Sequence, residues 1–122
     1  MGGDALVDKQ FWAISGPAGE GTLMTFDADP RKNGAAKPLV DKFKAQGYDP
    51  EGYTLYTYAA VQIWAEAATQ AKSFKTSDVE KAIRSGKFST VLNEVSFDAK
   101  GDTTTPAYKV YVWKNGSYDY VN

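Results

Sequence analysis

The residues predict an α/β fold that does not complete itself. Two observations predict it. The elements run helix, strand, three helices and then three strands, so the chain opens as α/β and closes as antiparallel β. The longest helical stretch, Thr54–Ala71, carries Tyr58, Val61, Ile63, Trp64 and Ala68 around a wide surface, and few strands remain to cover it. The chain is therefore expected to be part of a larger architecture, or to complete itself by pairing with another copy.

Each element has its own local signal. "DALVDKQFWA", residues 4–13, spaces Leu6, Val7, Phe11 and Trp12 as a short helix or helical turn, which Gly16 and Pro17 end. "GTLMTF", Gly21–Phe26, is a nearly continuous apolar run and predicts a buried parallel strand. "DADPRKNGAAKP" follows as an exposed loop, punctuated by Asp29-Pro30 and Asn33-Gly34. Pro38 suits the first turn of a helix, where a missing N–H costs nothing. That helix turns Leu39, Val40 and Phe43 to one side and stops at Gly47. "YDPEGY" is a second loop, and the Thr54–Ala71 helix comes next.

Ser77 and Glu80 have the spacing of a capping box for a helix that stops at Gly86. "STVLNEVSF" predicts one strand and "DAKGD" a turn. "AYKVYVW" alternates as a strand, and "KNGSYDYV" supplies an Asn-Gly hairpin turn with a last short strand. There is no internal repeat or low-complexity tract.

Composition excludes several function classes. With 14 basic and 15 acidic residues, the net charge is −1, so neither nucleic acid nor an anionic membrane surface is an expected partner. At 43% hydrophobic and 14% aromatic the chain can build a core. It has no cysteine and no histidine, which removes disulfides, thiolate chemistry, a zinc site and a Ser-His-Asp triad. No apolar run approaches the ~20 residues of a membrane helix. "MGGDALVDKQ" lacks the basic and apolar regions of a signal peptide.

The remaining motifs are weak as chemistry. "GPAGEG" lacks the spacing and the lysine of a phosphate loop. "DAKGD" departs from the EF-hand pattern, and a β-turn is the simpler reading. Asp27 and Asp29 have a spacing routine in loops. Trp12, Trp64 and Trp113 are expected as core anchors, and Tyr56 and Tyr58 as core or hinge packing. No nucleophile–base pair is visible, so no enzyme, cofactor or metal is expected.

Four pieces in order carry a resemblance: "GEGTLMTF"; "DPRKN" with "AAKPLVDKFKAQGYDPEGYTLYTYAAVQIWAEA"; "VLNEVSFDAKGD"; and "YKVYVWKNGSY". Together they resemble the C-terminal third of type I periplasmic solute-binding proteins, in the leucine/isoleucine/valine-binding branch that serves ABC importers. The most specific pieces are Glu20-Gly21, Tyr56–Gln62 and Phe97–Asp102.

The resemblance implies part of a three-layer α/β fold, either truncated or completed by swapping elements with a second copy. It implies that residues 1–50 end the C-terminal lobe, 51–103 belong to the N-terminal lobe, and 104–122 return to the C-terminal lobe. The crossings fall near Asp49–Leu55 and Thr104–Pro106.

Glu20 sits where an acid of the family binds the ligand's α-ammonium group. The resemblance places Gly19, Gly21 and Tyr53 at the cleft or hinge. It implies an amino-acid ligand, branched-chain or aliphatic, an ABC permease as partner, and a periplasmic or extracytoplasmic location. The alternative expectation is a self-associating, domain-swapped homodimer with no ligand binding of its own.

Overall fold

In the computed structural model, which describes residues 1–105 and 108–121, the chain forms two compact units, Met1–Asp29 with Ala107–Asn122, and Pro30–Pro106. Pro106, where the second crossing is expected to end, lies outside the described residues, as does Ala107 at the start of the predicted "AYKVYVW" strand. The helices and strands are α1 (Lys9–Ser15), β1 (Leu23–Asp27), α2 (Lys37–Ala45), α3 (Thr54–Ala71), α4 (Thr76–Ser85), β2 (Lys87–Thr90), β3 (Asn93–Ser96), β4 (Tyr108–Lys114) and β5 (Ser117–Tyr120). Short 3-10 turns occupy Asp4–Leu6, Gly16–Gly19, Pro30–Lys32 and Gly34–Ala36.

The first unit is built on a three-stranded sheet of order β1-β4-β5, antiparallel throughout. β1 is therefore not the parallel strand its apolar run predicted. It pairs with β4 from Leu23↔Val112 to Asp27↔Tyr108, and its parallel neighbour is the isolated bridge Gly2↔Met24. Met24 and Phe26 are buried while Leu23 is exposed, the alternation of a strand covered on one face.

Trp113 and Tyr111, both on β4, anchor the core of this unit. The Trp113 ring lies 5.3 Å from Phe11, 6.1 Å from Trp12 and 4.9 Å from Tyr118 between centroids. Its indole Nε1–H donates to the Leu6 carbonyl at 3.1 Å, which satisfies the polar edge of a buried ring. Tyr111 packs on Tyr120 at 4.9 Å and donates its hydroxyl to the Asp27 carbonyl at 2.6 Å. Asp8 caps α1 by accepting from the Gln10 N–H at 2.7 Å.

The second unit has two apolar clusters that share α3. One gathers Ile63, Ala67 and Ala68 with Val79 of α4, Phe88 of β2 and Val95 of β3. The other gathers Leu55 and Ala59 with Ala36, Val40 and Val91. α2 carries Pro38 in its first turn, and beyond its end the Tyr48 N–H donates back to Phe43 around Gly47 at φ 78°. α3 has the bounds its pattern predicted, but its apolar surface is buried on one side only. Tyr58, Val61 and Trp64 are 42%, 61% and 49% exposed. Trp64 is thus no core anchor; it stacks on the exposed Phe74 at 6.1 Å.

Two local expectations changed for tertiary and turn-chemistry reasons. The predicted strand 89–97 divides into the antiparallel hairpin β2–β3, which turns at Val91-Leu92. Thr90 Oγ1 accepts from the Leu92 N–H and donates to the Asn93 carbonyl, and Asn93 adopts φ 74°. Gln62 of α3 and Asn33 clamp Val91 through its N–H and carbonyl, at 3.1 and 3.3 Å.

The capping box is displaced as well. α4 starts at Thr76, because Ser73 Oγ already takes the Lys75 N–H and donates to Asp78. Glu80 instead pairs with Arg84 one turn on, at 2.9 Å. The "DAKGD" segment is the expected turn: Asp98 Oδ1 accepts from the N–H groups of Lys100, Gly101 and Asp102.

Candidate functional site

The loop between α1 and β1 holds the one acid that the sequence marked. α1 ends at Ser15, whose hydroxyl donates back to the Phe11 carbonyl at 2.7 Å, and the chain reverses at Gly16 with φ 54°. Gly16–Gly19 then makes a 3-10 turn that Pro17 opens. Gly19 is buried, and a Cβ there would stand 2.5 Å from Ser15 Oγ and 2.9 Å from Phe11 Cε1. No side chain fits that position without moving its neighbours.

Glu20 leaves the turn in an extended conformation, and Gly21 follows at φ 74°, a value L side chains rarely adopt. The Gly21 N–H donates to the Trp113 carbonyl at 2.9 Å, and the Trp113 N–H to the Thr22 carbonyl at 3.0 Å. These two bonds extend the β1–β4 ladder and hold the Glu20 backbone beside the end of β4. The Glu20 side chain is exposed, and Oε2 accepts the backbone N–H of Asn115 at 2.9 Å. Asn115 opens the turn between β4 and β5.

Gly19, Glu20 and Gly21 thus form one loop in the first unit. Tyr53 belongs to the second unit, at the start of α3, where it is 53% exposed and its carbonyl accepts the Thr57 N–H. Just before it, Arg31 pairs with Asp49 at 2.9 Å and lies 4.0 Å from Glu51, all three partly buried. Sequence reasoning found neither this pairing nor the Glu20–Asn115 bond. The second spans 95 positions, and no local pattern carries that information. Asp27, at the far end of β1, has its carboxyl pKa raised from its ordinary value by burial.

Among the described residues no group of three or more Asp or Glu side chains could hold a metal ion, and no helix is long and apolar enough to cross a membrane. The loop offers an anion with one oxygen tied to the backbone and the other open. Such a group accepts a hydrogen bond from a cation, most strongly from an ammonium or guanidinium.

Comparison with known proteins gives a consistent answer. Residues 1–117 match the family described as periplasmic binding protein. Leu/Ile/Val-binding protein homolog 1 of Brucella suis biovar 1 is 46% identical over 125 residues, covering 99% of this chain and 34% of the relative. Leu/Ile/Val-binding protein homolog 2 of Brucella abortus is 44% identical over 124 residues, covering 98% and 33%. Among solved structures, a leucine binding protein from Thermotoga maritima superposes with a TM-score of 0.83 at 27% identity, covering 98% of this chain and 35% of that one. The chain spans about a third of the length of the relatives it matches.

Proposed function

The chain belongs to the periplasmic binding protein family, and from that premise we propose that it supplies the ammonium-binding acid of an amino-acid receptor. The observation that carries the reading is Glu20: an exposed carboxylate in a loop shaped by Gly19 and Gly21, with one oxygen held by a backbone N–H and the other open. A charge-assisted bond to an ammonium there is roughly twice as strong as a neutral one. The ligand is an amino acid with a branched or aliphatic side chain, in keeping with the names of the Brucella relatives. The whole receptor works by binding, without catalysis, in the periplasm or another extracytoplasmic space, and delivers its ligand to an ABC permease.

The lobe assignment is part of the same proposal. Residues 1–50 and 104–122 serve the C-terminal lobe and 51–103 the N-terminal lobe. The compact units support its order, a central segment flanked by two stretches that share one sheet, and its second bound. Their first boundary falls at Asp29–Pro30, so residues 30–50 pack with α3 rather than with the flanking sheet.

The test grafts these 122 residues onto a Brucella suis relative in place of its matching third, followed by calorimetric titration with leucine, isoleucine and valine. Glu20→Gln is expected to weaken leucine binding on the order of 10- to 100-fold, the effect of losing one charged hydrogen bond. Equal affinity for the two versions refutes the role of Glu20.

A second reading concerns the 122-residue chain by itself and rests on the exposed apolar side of α3. There the chain self-associates to cover Val61, Trp64 and Phe74, and binds no amino acid at millimolar concentration. Light scattering is expected to show a dimer; a compact monomer with a cooperative melt overturns this reading.

A further inference from the structure

We infer that the Asn115-Gly116 turn is a positioning element for Glu20, one that sets its carboxylate in the orientation that receives a ligand's ammonium; the inference rests on the ammonium reading above. The argument begins in turn chemistry. A two-residue hairpin loop of the I′ type needs positive φ at both positions, and Asn115 and Gly116 adopt 50° and 81°. Lys114 and Ser117 close the ladder on either side. The Asn115 N–H, at the first loop position, is therefore left without a cross-strand acceptor. It is a donor whose direction two restricted residues determine.

Glu20 Oε2 takes that donor at 2.9 Å. The backbone around Glu20 is referenced to the same hairpin, because Gly21 and Thr22 exchange hydrogen bonds with Trp113, two residues before the turn. Main chain and carboxylate are thus both measured from β4 and its turn. An exposed glutamate left to itself spreads over many rotamers, and a ligand would have to collect them on binding. Here a backbone donor collects them beforehand, and Oε1 remains for the ligand. The N–H belongs to the main chain, so the function lies in the geometry of the turn and not in the amide of Asn115.

The test uses the grafted receptor with residue 115 replaced by the α-hydroxy acid counterpart of asparagine, so that an ester removes the N–H. The ester also weakens the Lys114 carbonyl as an acceptor in the closing pair of the hairpin, an effect that bears on any ligand alike. Two ligands are titrated: leucine, and 4-methylpentanoate, which is leucine without its amino group. The ester is expected to weaken leucine binding about five- to tenfold, the worth of one hydrogen bond that orients a charge. Binding of 4-methylpentanoate is expected to be unchanged, and in a Glu20→Gln background the ester adds no further loss for leucine.

Weakening of both ligands alike, or of neither, overturns the inference. If Glu20→Gln weakens leucine while the ester does not, the ammonium reading stands and the positioning inference falls. If Glu20→Gln leaves leucine binding intact, both fall. Should the ester-bearing receptor fail to fold, Gly116→Ala tilts the same N–H by straining the turn at φ 81° and by setting a Cβ 3.2 Å from Trp12 Nε1. Loss of leucine binding with 4-methylpentanoate binding kept supports the inference, and equal loss of both overturns it.

Discussion

Removing the indole N–H of Trp113 tests how the first unit is held together. Trp113→Phe keeps an aromatic ring at a fully buried position on β4. It deletes the donor that reaches the Leu6 carbonyl at 3.1 Å and leaves that oxygen to find another partner. The Leu6 carbonyl is partly buried, so losing its partner falls toward the lower end of the about 1–3 kcal/mol that a buried acceptor costs. The smaller ring also gives up part of the packing against Phe11, Trp12 and Tyr118, whose centroids lie within 6.1 Å, which adds about 1 kcal/mol.

The expected loss from Trp113→Phe is therefore toward the lower end of about 2–4 kcal/mol. The assay is urea denaturation of the chain followed by circular dichroism, with the midpoint shifted and the slope unchanged. A loss below about 0.5 kcal/mol refutes the reasoning, because it means that neither the indole bond nor the ring contacts contribute at this site.

Two further outcomes follow from the same residues. Gly21→Ala forces a Cβ onto a backbone at φ 74° and is expected to destabilise by about 1–2 kcal/mol in the same denaturation assay, even though no atom stands in the way of the added Cβ. Asp27 has a folded-state pKa above its unfolded value, from burial, so the stability associated with its protonated form is complete below the unfolded pKa and is lost as pH rises through the folded one. Asp27→Asn is therefore expected to melt higher than the unsubstituted chain at neutral pH, with the difference shrinking as pH falls toward 3.8; a difference independent of pH contradicts the assignment.

Much of the fold was legible residue by residue. α3 begins at Thr54 and ends at Ala71, as its alanine-rich periodicity indicates. Gly47 ends the turn after α2, Asn115-Gly116 closes a hairpin, and Asp98 gathers three N–H groups in "DAKGD". In the site, the family resemblance rather than the local pattern singled out Glu20; the structure shows that Gly21 sits at φ 74° and that Gly19 has no room for a Cβ. The capping box at Ser77 misled because a competing hydroxyl, Ser73, lay four residues earlier.

What the sequence by itself determined is whatever depends on residues within about one helical turn of each other: periodicity, stops, and turns that need positive φ. These signals are covalently close, so they survive without knowledge of the rest of the chain. Only the tertiary structure decided that β1 runs antiparallel to β4, that Val91 turns a strand into a hairpin under Gln62 and Asn33, and that Trp64 faces outward. It also decided that Glu20 meets the N–H of Asn115, 95 positions away. Each of these depends on which distant group supplies the partner for a strand edge, a backbone donor or an apolar face, and that choice is made by the packing of the whole unit.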